Sequence, residues 1–258
     1  MLHAARLIRD PDRYIARFGR ENYDIKLGDC LWHIYRMIGK LSSRIYLLSA
    51  PEPAADITSA RRPAATDEQV DQAWVGDAPE LNAAIILVSY DQDWPTLFAA
   101  EAGRIRQLLG DRVLLLEHVG STSVPGLAAK PIIDILLVLA DPADEPSWLP
   151  PLEEASYRLV IREPGWYQHR ALKGPGTDIN LHVHPPGSPE IRRHLLFRDW
   201  LRTHDDDRDL YERTKRELAA RTWKYVQNYA DAKTEVIESI LAKAAHRPAP
   251  QAGSALAW

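Results

Sequence analysis

The chain has 258 residues, a formal net charge of −4, and 45% hydrophobic against 26% charged residues, the balance of a soluble globular protein of one or two domains. A mildly acidic chain excludes binding of nucleic acid through a basic bulk field, and a single cysteine, Cys30, excludes an internal disulfide framework. The longest apolar stretch, from Pro131 to Ala140, is broken by Asp134 and too short to span a bilayer, so a cytoplasmic protein without a membrane partner is expected.

Residues 1 to about 49 mix helical and strand-like signals around Tyr14, Phe18 and the run Cys30 to Tyr35, and carry no motif. No basic–apolar–small cleavage pattern opens the chain. From about 50 to 80 the composition is that of a linker: Pro51, Pro53, Arg61, Arg62 and Pro63, with few large apolar residues. The expected organisation is an extension and linker over 1–83 with no assigned function, one folded domain over 84–245, and a disordered tail over 246–258 with Pro248, Pro250 and Gly253.

Within the domain, Ile85 to Val88 reads as a short strand. Asp93 can cap a helix starting at Trp94-Pro95, where Leu97, Phe98, Ile105, Leu108 and Leu109 recur at helical steps until Gly110. Arg112 to Val119 is β-rich, and the apolar run Ile132 to Leu139 predicts a central strand buried on both faces. A helix is expected over Ser147 to Ala155, then strands over Tyr157 to Ile161 and Trp166 to Leu172. Asp178 to His184 alternates polar and apolar, the pattern of a half-buried strand. Helices follow, near Pro189 to Thr203 and from about Asp207. Strands first and helices afterwards make the class α+β.

The chemistry concentrates between Glu117 and Ile135. Gly120 lets backbone approach a ligand, and the hydroxyls of Ser121, Thr122 and Ser123, with successive N–H groups, suit phosphate oxygens. Lys130 adds positive charge, and Arg193 and Arg198 offer guanidinium forks to an anion. Asp134 is the sharpest signal, since a carboxylate between Ile133 and Ile135 is costly unless paired, hydrogen-bonded or bound to a metal. His182 and His184 share a strand face with Asp178 and Asn180, and His118 stands two residues before Gly120. His182 and His184 read either as part of a mixed Asp/His pocket or as a solvent-facing polar stripe on an edge strand, and His118 either as facing the same site or as a structural imidazole in the core. The run Asp205-Asp206-Asp207 reads as helix capping rather than a metal cluster.

His118 to Leu127 and Lys130 to Ile135 resemble the GrpB family, with support from Tyr90-Asp91, Trp94, Asn180 to Val183, Arg192 to Asp199, Tyr211, Lys215 and Tyr229 to Lys233. The resemblance covers about 85–245. In some bacteria a domain of this kind is similar to one fused behind a dephospho-coenzyme A kinase, whose motifs do not appear here. The family in turn is similar to polymerase-β-like nucleotidyltransferases. That implies a mixed β-sheet flanked by helices with a C-terminal helical portion, and a nucleotide or phosphorylated small molecule as partner. Gly120-Ser121 matches the superfamily's Gly-Ser element and Asp134 its first aspartate, while the second acidic position is Leu136. The implied chemistry is nucleotidyl transfer with a divalent cation, Mg²⁺ or Mn²⁺, with Asp134 and His182 as catalytic and metal-binding residues. A site of one Asp with histidines suits Zn²⁺ or Mn²⁺ better than Mg²⁺. Two alternatives stand beside it: a non-catalytic ligand-binding or regulatory module that lost the acidic pair, favoured by Leu136, and a metal-dependent hydrolase built on the His-rich strand.

Overall fold

The computed structural model describes residues 63–246, Thr177 excepted. The expectations placed on Tyr14, Phe18 and Cys30 and on the residues beyond 246 lie outside that range.

The apolar run forms β2 (Ile133–Val138), in the interior of a five-stranded sheet. It pairs antiparallel with β1 (Leu115–Val119) and parallel with β5 (Ile179–His184). β3 (Arg158–Glu163) and β4 (His169–Lys173) complete the order β1-β2-β5-β4-β3. One parallel pair among antiparallel ones makes the sheet mixed, and the seven α-helices among the described residues flank it.

Strand alternation gives the two faces different characters. Ile133, Ile135 and Leu137 of β2 join Leu181 and Val183 of β5 in the main apolar core. That core is closed by Ile105 and Leu109 of α2 (Trp94–Leu109) and by Trp148 and Leu152 of α3 (Glu145–Glu154). The opposite face presents Asp134, Leu136, Asn180, His182 and His184. Over it lie α4 (Pro189–Leu201), α5 (Asp205–Ala219), the six-residue α6 (Val226–Asp231) and α7 (Thr234–Ala245). The acids at the start of α5 match the helix dipole, as expected. Asp207 also ties three helices together, accepting from Trp200 Nε1 at 2.8 Å and from Lys243 Nζ at 2.5 Å.

Three local expectations differ. Ile85 to Val88 forms no regular strand; it makes one isolated bridge, Val88 to Ala129, and Ile86 is 77% exposed. Of these four apolar residues only Ile85 is buried. The strand expected from Trp166 begins at His169, because Tyr167 and Gln168 turn with φ of 49° and 53°. Residues 66–83 also depart from linker behaviour. Thr66 and Gln69 form a capping box that opens α1 (Asp67–Ala73), Val70 is buried, and Trp74 bridges to Ile161 on β3. Among the described residues no helix is long and apolar enough to cross a membrane.

Candidate functional site

Where β1 ends, Gly120 adopts φ 69°, ψ −174°, a conformation open essentially to glycine alone, and the chain turns through a short 3₁₀ segment, Ser121–Ser123. A Cβ at this position would stand 2.9 Å from the Cβ of Asp134. The missing side chain therefore lets the turn lie directly on the carboxylate.

Asp134 is oriented by a file of donors. Asn180, its register partner on β5, donates from Nδ2 to Asp134 Oδ1 at 2.8 Å. Lys173 Nζ donates to Asn180 Oδ1 at 2.6 Å. A lysine can only donate, so it fixes the amide with its NH₂ toward the aspartate. His182 Nε2 lies 3.8 Å from the same Asp134 oxygen. Burial raises the acid's pKa, but hydrogen bonding and charge from His182, the Asn180 bond and Lys130 outweigh it and hold the group at about 2. Behind His182, its Nδ1 meets His169 Nε2 at 3.2 Å, and His169 Nδ1 meets Glu163 Oε2 at 2.8 Å.

These groups open into a cavity of about 450 Å³ between the polar sheet face and the C-terminal helices. Its charged lining comprises Lys130, Lys215, Lys233 and Arg193 with Asp134, Glu190 and Asp231. Lys215, on α5, is 2% exposed; its Nζ donates to Ser121 Oγ at 3.1 Å and to the Ala128 carbonyl. Lys130 and Lys233 stand over the ring of Tyr229, at 5.9 and 4.3 Å from its centroid. None of the three has a carboxylate within ion-pair distance among the described residues. Burial, and then mutual repulsion between cations, lowers Lys215 to about 7 and Lys233 to about 8; burial also lowers Lys130.

The structure brings most of the sequence-predicted residues to this cavity: Gly120, Ser121, Thr122, Lys130, Asp134, His182 and Arg193 all line it. Several have obligations elsewhere. Ser123 is not in the lining; it is buried and its hydroxyl donates to the Gly120 carbonyl at 2.6 Å. Thr122 Oγ1 donates to the Ile132 carbonyl and meets His118 Nε2, both at 3.1 Å. Arg193 is held between Glu238 and Glu190. His118 takes the opposite sheet face, stacked on Phe98, and burial lowers its pKa to about 3. His184 is buried against Ser188, and Asp178 is exposed at the entry to β5. As the expected cation ligands, Asp134 and His182 do stand together. A third donor is missing: among the described residues no group of three or more His, Cys, Asp or Glu side chains could hold a metal ion.

Arg198, also a candidate anion clamp, is turned away from the cavity. It is buried, bonded to Glu117 Oε2 at 2.9 Å, to the His118 carbonyl at 3.0 Å and to Asp199 at 2.7 Å. Arg198→Ala should strand the buried Glu117 and cost about 3–5 kcal/mol in chemical denaturation, without weakening anion binding in the protein that remains folded. A loss of binding with unchanged stability would assign the arginine to the site instead.

The residues that sequence reasoning left without a role are Lys215 and Lys233. Lys215 sits in a mixed-charge helical stretch and is buried only by the packing of α5 over the sheet, while Lys233 stands half-buried in the turn before α7.

A family model described as GrpB protein matches residues 84–243. UPF0157 protein BH1888 of Halalkalibacterium halodurans is 56% identical over 179 residues, covering 69% of this chain and 92% of that protein. UPF0157 protein SCO7215 of Streptomyces coelicolor is 45% identical over 158 residues, covering 61% of this chain and 83% of its own. The crystal structure of conserved protein GrpB from Enterococcus faecalis superposes with a TM-score of 0.55 at 34% identity, over 61% of this chain and 98% of that one. The match of the family model, the near-full-length likeness to BH1888 and the shared fold agree, and the chain belongs to the GrpB family.

Proposed function

We propose that the cavity binds a phosphorylated small molecule of the nucleotide class, held by Lys130, Lys215, Lys233 and the Gly120-Ser121 turn. Lys215 carries the reading. When protonated, its ammonium is bonded to two neutral oxygens and stands 4.9 Å from the centroid of the Tyr211 ring, which leaves one N–H and a charge with no carboxylate partner at the cavity wall. An unpaired buried cation is unfavourable until an anion joins it, and phosphate oxygens form short, charge-assisted bonds to ammonium groups. Lys130 and Lys233 lie on one aromatic ring, so their ammoniums are no further apart than the two ring distances combined. Several cations around one space call for a ligand with more than one negative charge, and about 450 Å³ suits a small molecule.

The divalent cation implied by the resemblance has only Asp134 and His182 to hold it. Leu136, fully buried where the superfamily's second acid would stand, favours binding without nucleotidyl transfer. The test is calorimetric titration of the full chain at pH 6.5 with inorganic pyrophosphate, ATP and adenosine, in EDTA and in Mg²⁺. Pyrophosphate and ATP should bind in EDTA and adenosine should not. Absence of binding by both anions under both conditions would overturn the assignment. Labelled ATP incubated with cell extract separates the two versions, a covalent adduct indicating transfer.

A further inference from the structure

We propose that residues 65–83 act as a strap that holds α6, and with it the Lys233 side of the cavity, in place. Helix α6 has six residues, too few to be stable by itself. From inside it is anchored by Tyr229, which is 1% exposed and packs with Ile85, Leu218 and Ala219. From outside, the restraints come from the strap. The Ala65 N–H donates to Asp231 Oδ2 at 2.9 Å. Tyr225 Oη donates to Asp71 Oδ1 at 3.0 Å, and Lys224 Nζ donates to Asp67 Oδ2 at 2.9 Å. At the strap's other end the Leu81 N–H donates to the Lys224 carbonyl at 2.6 Å, and Ala83 bridges to Trp223. The bonds thus bracket α6 at both ends, at 223–225 and at 231.

The strap is itself fixed to the far edge of the sheet. Trp74 pairs with Ile161, and the Val75 N–H donates to the Val160 carbonyl at 3.0 Å, which covers the β3 edge. It therefore transmits the position of the rigid sheet to a short element that lacks support of its own. Lys233 sits at the junction of α6 and α7, and Asp231, which receives the Ala65 bond, is also a wall residue of the cavity. Each exposed bond is weak singly, but five act on one short segment. Asp67, Asp71 and Tyr225 are positioning residues in this scheme, since none of them lines the cavity.

Amide hydrogen exchange on the full chain tests the strap without any ligand. In the double variant Asp67→Asn/Asp71→Asn, residues 226–233 should exchange on the order of tenfold faster, with the β2 peptide 133–138 unchanged. Tyr225→Phe should give the same pattern at smaller amplitude. Unchanged exchange at 226–233 in both variants, or acceleration spread equally to β2, overturns the strap. The consequence for binding rests on the ligand reading above, and pyrophosphate titration keeps the two apart. Faster exchange with several-fold weaker binding supports both. Faster exchange in a protein that never binds pyrophosphate keeps the strap and removes the ligand.

Discussion

Lys215→Met should weaken pyrophosphate binding about 100-fold at pH 6 while making the free protein more stable, by roughly 1–2 kcal/mol. Opposite signs arise because the ammonium is unfavourable in the empty cavity and favourable against a phosphate. The folded protein holds Lys215 at about 7, chiefly through burial, whereas an unfolded chain lets a lysine titrate near its ordinary value. Between those two values the unfolded state binds the extra proton, so the stability of the wild type rises with pH across that window and falls again toward pH 6. Methionine removes this slope. It also leaves the Ala128 carbonyl without its lysine donor, a cost of about 1–3 kcal/mol that does not depend on pH. The variant should therefore be the more stable protein at pH 6 and the less stable one at pH 9. Binding has the reverse linkage: an anion favours the charged amine, so wild-type affinity should decline as pH climbs through 7 to 8, where Lys215 and Lys233 lose their protons. The ratio of wild-type to variant affinity cancels the titration of pyrophosphate itself. A ratio near one at every pH would place Lys215 outside the binding site.

What could be read from the sequence was what local pattern encodes. The run Ile132 to Leu139 and the alternation of Asp178 to His184 became adjacent strands, and the lone Asp134 emerged on the face that their apolar partners leave to the helices. Chain order cannot say which face a histidine takes. His118 and His182 stand on strands separated only by β2, yet opposite parity sends one to the main core and the other to the cavity. Lys215 was harder still. Its neighbours Arg213 and Arg216 make it look like part of a solvated charged face, and only its position on the inner side of α5 buries it. The short strand expected at Ile85 fails for a related reason. Apolar character over four residues does not say whether a partner strand is available, and here the partner is a single residue, Ala129.

Gly120→Ala should be the most damaging single-methyl change in the site, with a loss of about 3–5 kcal/mol in denaturant unfolding. Two penalties add. The backbone angles of 69° and −174° are strained for any residue with a Cβ, and the new methyl would lie 2.9 Å from the Asp134 Cβ and 3.0 Å from its Cγ. Neither partner can yield cheaply. Asp134 is fixed by Asn180, which Lys173 fixes in turn, and β2 is paired on both sides. Gly126→Ala separates the two penalties. Gly126 also has positive φ, 80°, but a Cβ there meets nothing within 4 Å, so its loss should stay near 1 kcal/mol. The difference between the variants measures how closely the turn rests on the carboxylate. If it is near zero, the turn and Asp134 are not in contact in solution, and the cavity would lack the floor on which Ser121 and Lys215 meet.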